Sequence, residues 1–577
     1  MTRTPIVIAR RAAPLRIDGL HPLLCRIYAH RGITDAGQLE SSLTRLHACE
    51  DLSGMDAATR LLMQALEQGS RILIVGDFDA DGATSTALAM RVLRAFGAGD
   101  VHYLVPNRFE YGYGLTPEIV AVGARLAPDL LITVDNGVSS VEGVAAAKAC
   151  GMRVLITDHH LPGARLPDAD AIVNPNLPGD DFPSKTLAGV GVVFYLMLAL
   201  RKRLRAAGWF DRCGLTEPNM ARVLDLVALG TVADVVPLDH NNRILVEQGL
   251  RRIRAGHCIP AIPALLRIAG RSHARAVAAD LGFAAAPRLN AAGRLQDMSI
   301  GIECLLCDDE ERAAKLVAQL DELNRRRRAI ESEMHVQALA ALQALDGLEG
   351  HGLPHGLCLF DAGWHQGVIG ILASRIKERF QRPTIVFADA GQQMLKGSAR
   401  SIPALHIRDV LETVAARNPG LITRFGGHAM AAGLSLPARH FEDFRAAFAL
   451  ALRAVITPEQ LDGVQYTDGE LCETDFTLDV AQLLRMAGPW GQGFPEPLFE
   501  GVFEIVQQRR VGERHLKLVV RPRGGTRLLD AIVFNIDAFE WTEGVRAAHL
   551  LYRFEENEYL GRVCPQLAVT HLRPLPP

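Results

Sequence analysis

Four apolar runs in this chain each end in carboxylates or imidazoles, and this pattern limits the possible fold more than any other feature. RILIVGDFDADG carries Asp77, Asp79 and Asp81. DLLITVDNG carries Asp135, RVLITDHH carries Asp158, His159 and His160, and DLVALGTVAD carries Asp234. Short continuous apolar runs read as strands buried on both faces of a parallel sheet. Ligands of such sheets bind beyond the carboxyl ends of the strands. Four strand ends are therefore expected to aim acids and imidazoles at one place. So many carboxylates repel one another unless cations neutralise them. The expected cations are divalent metals, and the expected chemistry is metal-dependent attack on a phosphorus centre.

The residues divide the labour. Asp77 and Asp79 lie two apart, so an extended backbone points both to one side. A calcium-loop reading of DxDxDG needs a Glu at the twelfth position, which is Leu88 here, so it fails. Asp81 reads as a cap for a helix opening near Ala83 rather than as a ligand. Asp135 is the candidate bridging ligand between two metals, with Asp77, Asp79, His159 and Asp234 completing the shells. Asp158 is expected to accept a hydrogen bond that fixes the His159 tautomer. His160 is expected to face the substrate as a phosphate contact or proton donor.

The pattern along the 577 residues suggests several units. Residues 1–50 read as a helical preface. Residues 51–308 alternate helix and strand, with strands expected at 71–76, 101–105, 129–134 and 153–157, in a doubly wound α/β arrangement. They then become mostly helical and end in the loop-like segment APRLNAAGR. Residues 309–346 carry a long helical pattern, and the Gly/Pro/His cluster after it marks a boundary. Residues 350–456 read as a smaller α/β unit. Residues 460–577 contain alternating strand patterns that suggest a small barrel of the OB-fold kind. Trp490, Phe494 and Phe499 are expected to pack that barrel against its neighbour. Arg509, Arg510, Arg514 and Lys517 are expected to contact phosphate.

The bulk composition excludes little. A net charge of −3 does not mark a nucleic-acid binder, but acids gathered at one site can conceal basic groups elsewhere. The ten cysteines form no disulfide or zinc framework, and Cys304 and Cys307 read as core residues. The apolar run Pro5–Ala9 is too short for a signal segment, and no run spans a bilayer. A soluble, cytoplasmic protein without membrane contact is expected.

In order, the motifs VGDFDADGATSTAL, TVDNGVSS, TDHHLPG, NPN, LAGVGVVFYL, LGTVADVVPL and PRLNAAGR resemble those of the DHH phosphoesterase superfamily. WHQGVIGILASRIKERF, KGSARS and FGGHAMAAG resemble its DHHA1 domain, and GPWGQGFPEPLF opens a tail similar to the OB-fold of its bacterial exonuclease branch. The resemblance covers nearly the whole chain. It implies a DHH catalytic domain with a doubly wound parallel sheet, a connecting helix, a DHHA1 domain that binds the substrate end, and a C-terminal barrel. It implies two ions, Mn2+ or Mg2+, held by Asp77, Asp79, Asp135, His159 and Asp234. Asp135, Asp158 and His160 are the implied catalytic group. Many members carry a histidine before the first aspartate, but Ile72–Gly76 contains none, so one metal site is expected to have fewer protein ligands. Ser398, Arg400 and the backbone of GSARS suit a terminal phosphate. His428, Arg108, Arg288, Asn290 and Arg294 join them by resemblance, whereas Arg375 is expected to pair within its helix. The implied activity is 5′→3′ hydrolysis of single-stranded DNA to 5′ mononucleotides in recombination and repair. The implied partners are single-strand binding protein and a RecQ-type helicase, with the enzyme a monomer. Two alternatives stand beside it: a DHH phosphoesterase for short oligonucleotides or small phosphoanhydrides, and a DNA-binding scaffold that has lost its metals.

Overall fold

The chain's longest parallel sheet is built from the runs that looked most buried. The structure, a computed structural model, describes residues 6–10, 17–107, 110–111, 114–349, 354–403, 405–461, 463–512, 515–534, 536, 544–559 and 562–575. Strands Val101–Leu104, Ile72–Gly76, Leu130–Val134, Arg153–Thr157 and Ala171–Val173 lie side by side in that order, all parallel. The chain enters at Ile72–Gly76, moves to one side, then returns to Leu130–Val134 on the other. This makes the gap between those two strands the topological switch point, where open α/β sheets bind ligands. The register places Gly76, Val134 and Thr157 level with one another. The next residues, Asp77, Asp135 and Asp158, therefore emerge together at the carboxyl edge.

One of the four runs is not a strand. DLVALGTVAD forms the helix Leu224–Ala233, and Asp234 is its C-cap. A continuous apolar run fits a helix buried on all sides as well as it fits a strand. Here the helix is buried against Ala80–Ala95, Gly189–Ala206 and His240–Arg254. Likewise APRLNAAGR is not a loop. One π-turn, Leu281–Ala285, leads into the helix Ala286–Leu295, whose proline sits in the first turn, where no amide hydrogen is needed.

The connecting helix runs over Glu310–Glu349. Beyond it, Arg424–Gly427, Ala431–Pro437, Met394–Arg400, Thr384–Asp389 and Leu357–Phe360 form a second five-stranded sheet, which has apolar cores of its own. Phe499–Val511, His515–Pro522, Leu529–Val533, Arg562–Pro574 and Ala547–Tyr559 close into a barrel. Only the Leu529–Val533 and Arg562–Pro574 pair is parallel, as in a Greek-key OB-fold. The barrel interior, with Phe503 and Leu550, is continuous with the core under the first sheet. Among the described residues no helix is long and apolar enough to cross a membrane.

The N-terminal segment is more than a helical preface. Ile6–Arg10 is a strand paired in parallel with Gly463–Thr467, far along the chain. The helix Pro22–Ala29 then brings Arg31 onto Asp468, and both side chains are fully buried. His30 adds a 3.0 Å contact to the same carboxylate. Arg31 lies over Trp490, which stacks on Phe494 beside Tyr28. Local periodicity cannot reveal a strand whose partner lies at the other end of the chain. Asp468→Ala strands the buried Arg31 guanidinium and is expected to cost about 3–5 kcal/mol. A lower urea midpoint at unchanged m-value would show it, and an unchanged midpoint would refute the clamp.

Candidate active site

The first acids are set by the turn between Ile72–Gly76 and the helix Ala80–Ala95. Asp79 is the N-cap of that helix, and its Oδ1 accepts the amide hydrogens of Asp81 and Gly82, each at 3.0 Å. The turn is tight enough that a Cβ on Gly82 would lie 2.5 Å from the Asp77 carbonyl oxygen. Asp81 does not cap its own helix. Its two oxygens accept from Gly189 at 2.6 Å and Val190 at 3.0 Å, and so cap the helix Gly189–Ala206, whose own N-cap Ala188 offers no side-chain acceptor. The helix begins at Ala80 rather than Ala83, which leaves Asp81 inside it and its carboxylate free to reach across.

Asp135 is 2% exposed and has φ +63°, a left-handed conformation rarely adopted by residues other than glycine. Gly189 permits this packing, since a Cβ there would sit 2.7 Å from the Asp135 side chain. Val235, next to Asp234, also has a positive φ of 61°, strained for a β-branched residue. Asp158 supports His160, not His159: it accepts from His160 Nδ1 at 2.7 Å and from the amides of Val138, His159 and His160. The DHH loop is held from behind by Asn174 on the His160 carbonyl and Asn176 on the His159 carbonyl. These NPN asparagines have a positioning role that residue type alone did not disclose.

His159 Nε2 faces Asp135 Oδ1 at 3.1 Å and Asp234 Oδ2 at 3.5 Å. The first of these looks like a hydrogen bond by distance but not by alignment, and both atoms are buried without a hydrogen-bond partner. Ligand atoms of Asp77, Asp79 and Asp135 lie within 4.8 Å of one another, as do those of Asp135, His159 and His160, and those of Asp81, His159 and Asp234. Buried polar atoms left unsatisfied at such spacing, in a hard-oxygen and imidazole donor set, suit divalent cations.

The electrostatics point the same way. Burial, then the charges of Asp81, Asp79, Asp234 and Asp77, push the Asp135 carboxyl well above the usual range. Burial and the nearby Asp234 raise Asp81 to about 7, and burial and Asp79 raise Asp234 to about 8. Burial lowers His159, which favours the neutral imidazole that binds metals. Burial also opposes charge on His160, but the hydrogen bond and charge of Asp158 outweigh it and raise His160 to about 9.

The second domain meets this cluster. His428 lies against His160, rings 5.9 Å apart and 24° from parallel. Arg400 donates to Ser398 Oγ at 3.2 Å and to the Ala399 carbonyl, and has no carboxylate partner among the described residues. A Cβ on Gly370 would lie 3.0 Å from both Arg400 Nη2 and Ser398 Oγ, so the absence of a side chain there lets those two groups pack directly against the helix Ile369–Phe380. Three other expected substrate contacts are engaged within the protein. Arg288 is buried, with Nε 2.9 Å from Asp321 of the connecting helix. Asn290 accepts the Ala80 amide hydrogen, and Arg294 donates to the Gly367 carbonyl at 3.1 Å. Arg375 pairs with Glu331 of the connecting helix at 3.2 Å rather than only within its own helix. Arg108 and Arg514 lie outside the described residues. On the barrel, Arg509 and Arg510 are exposed and Lys517 contacts Asp530 at 3.2 Å.

Residues 71–231 match the DHH family, N-terminal domain, residues 354–454 the DHHA1 domain, and residues 467–571 the RecJ OB domain. The chain is 56% identical over 559 residues to the single-stranded-DNA-specific exonuclease RecJ of Dickeya dadantii, covering 97% of each. It is 53% identical to that of Escherichia coli, covering 96% of each. The chain belongs to the RecJ family. The crystal structure of RecJ from Thermus thermophilus in complex with Mn2+ superposes with a TM-score of 0.79 at 30% identity, covering 99% of this chain and 80% of that one. The RecJ architecture accounts for the DHH sheet, DHHA1 unit and closed barrel described above.

Without cations, the raised Asp81 and Asp234 leave the native state holding more protons than the unfolded chain between about pH 4 and about pH 8. Their contribution to stability is favourable at acid pH and is lost as pH rises through about 8. Divalent cations remove that penalty. The Mn2+-induced rise in melting temperature is therefore expected to be larger at about pH 8 than at about pH 6. Equal rises at the two values would contradict this charge assignment.

Proposed function

We infer that this chain is a metal-dependent 5′→3′ exonuclease that hydrolyses single-stranded DNA to 5′ mononucleotides in recombination and repair. The observation that carries this reading is the meeting of two unlike sites across the His160–His428 contact. On one side is a carboxylate cluster that needs cations, and on the other is Arg400, a cation that needs an anion. In this reading Asp77, Asp79, Asp135, His159 and Asp234 would hold two divalent ions, Mn2+ or Mg2+, with Asp135 belonging to two of the three donor groups. Bound there, the ions supply Lewis-acid polarisation of the phosphodiester and acidify the attacking water.

The protein supplies the rest. Asp158 holds the Nδ1 hydrogen of His160, so Nε2 is the atom that contacts the scissile phosphate or delivers a proton to the leaving oxygen. Arg400 and Ser398 receive the 5′ phosphate, with His428 beside them and Arg108 as a further family contact. Arg288 and Arg294, tied to Asp321 and Gly367, shape the wall between the domains. A phosphate pocket held at a fixed distance from the metal cluster measures one nucleotide at a time. A narrow cleft between the two domains, which meet at the His160–His428 contact, would admit one strand and exclude a duplex. A cavity of about 1650 Å³ runs from Val235, beside Asp234, past Phe283 to Phe534 and His571 of the barrel, and would carry the remaining strand. Hydrolysis of a small phosphoanhydride would need neither that cavity nor the barrel. By family, the enzyme works as a cytoplasmic monomer beside single-strand binding protein and a RecQ-type helicase.

A long single strand labelled at either end, digested with Mn2+ or Mg2+, tests this reading. Labelled mononucleotide is expected early from the 5′ end and not from the 3′ end or from blunt duplex. Asp135→Ala is expected to lower the rate by about 10³-fold or more. Arg400→Ala is expected to raise KM about tenfold on 5′-phosphorylated strands, the loss of one charged phosphate contact, and little on 5′-hydroxyl strands. Early release from the 3′ label would overturn the polarity, and activity confined to dinucleotides would move the function to small substrates.

A further inference from the structure

The helix Ala286–Leu295 touches three parts of the protein, and the face it turns toward the metal cluster makes no use of charge. Asn290 Oδ1 accepts the amide hydrogen of Ala80 at 2.8 Å. Ala80 is the first residue of its helix and is 1% exposed. Asp79 satisfies the next two amides, so Asn290 supplies the acceptor that the N-cap cannot. One turn along the same face, a Cβ on Gly293 would lie 1.8 Å from the Phe78 carbonyl oxygen. The helix backbone therefore rests directly on the residue between Asp77 and Asp79. Elsewhere Arg288 anchors it to Asp321, and Gly367 of the second domain packs so closely that a Cβ would sit 2.2 Å from the Arg294 carbonyl oxygen.

We propose that Asn290 is a positioning residue of the metal site and not a DNA contact: with Gly293 it clamps the Phe78–Ala80 backbone and so sets the Asp77 and Asp79 carboxylates. The inference rests on the metal-centre reading above. Asp79 spends one oxygen on its own helix, so the direction of the other depends on the backbone at Ala80. Losing the Asn290 acceptor leaves a buried amide unsatisfied and frees the turn to rotate. The same helix joins the turn to the second domain at Gly367, so the clamp also keeps the substrate-end pocket in register with the metal cluster.

The test uses the full-length protein and separates metal from DNA. Mn2+ binding is measured by the electron paramagnetic resonance signal of free Mn2+, without DNA. Binding of a 5′-phosphorylated oligonucleotide is measured in EDTA. Asn290→Ala is expected to weaken Mn2+ binding by about 10–100-fold, the usual effect of losing a group that orients a metal ligand, with oligonucleotide affinity unchanged. Asn290→Asp keeps the acceptor oxygen and is expected to restore most of the Mn2+ affinity, which shows that the effect is not general misfolding. Wild-type Mn2+ affinity in Asn290→Ala, or a loss of oligonucleotide affinity with Mn2+ binding intact, would overturn the proposal. If the wild-type protein bound no Mn2+, the metal-centre reading itself would fail, and this inference with it.

Discussion

Everything at the centre of this molecule depends on carboxylates placed where they repel each other. Asp77, Asp79, Asp81, Asp135 and Asp234 converge at one edge of a parallel sheet, and burial keeps water from screening them. A sheet with its switch point between Ile72–Gly76 and Leu130–Val134 delivers such groups without bending any strand. The cost is an apo state in which several of these acids resist ionisation. A site built this way binds cations strongly because filling it removes a repulsion already present, in addition to forming new bonds.

The surrounding backbone supplies part of the missing positive charge. Asp79 lies at the N-terminus of Ala80–Ala95 and Asp81 at that of Gly189–Ala206, where unpaired amides and the helix dipole favour an anion. Asp158 takes three amide hydrogens as well as the His160 imidazole. These three acids are thus held mostly by the protein. Asp135 Oδ1 and His159 Nε2 are not, and this contrast separates the atoms that stabilise the scaffold from those which the proposed function assigns to ions.

Much of this can be read along the chain because strand-borne sites are local. The strands at 72–76, 101–104, 130–134 and 153–157 and the acids after three of them follow from apolar runs and turn residues. The connecting helix at 310–349 follows from periodicity. The failures share a physical origin. Sequence pattern puts Asp234 at a strand end, but a run apolar on every face has no period to distinguish sheet from buried helix. It puts Asp81 on its own helix as a cap, and Asp158 on His159. In both cases the carboxylate chooses a partner by direction in space, which sequence spacing does not encode. The Ile6–Arg10 strand depends entirely on Gly463–Thr467 and has no local signature.

The distribution of arginine partners bears on why such an enzyme would work from an end. Along the cavity that reaches the barrel, Arg275 and Arg485 share Glu556, Arg553 faces Glu496, and Arg375 faces Glu331. Those walls are close to neutral and offer a strand apolar surface such as Phe283, which is 80% exposed, rather than a continuous electrostatic grip. The chain's net charge of −3 gives no general attraction for DNA either. Arg400, by contrast, is half-buried, has no counter-charge among the described residues and packs against Gly370 beside Ser398. If Arg400 receives the substrate as proposed, attraction concentrated at one unpaired cation rewards a terminal phosphate, which carries more charge than an internal one. Under the proposed function, end recognition would follow from where the protein left its charge unpaired, and a neutral track would let the strand advance after each cut without having to break a line of ion pairs.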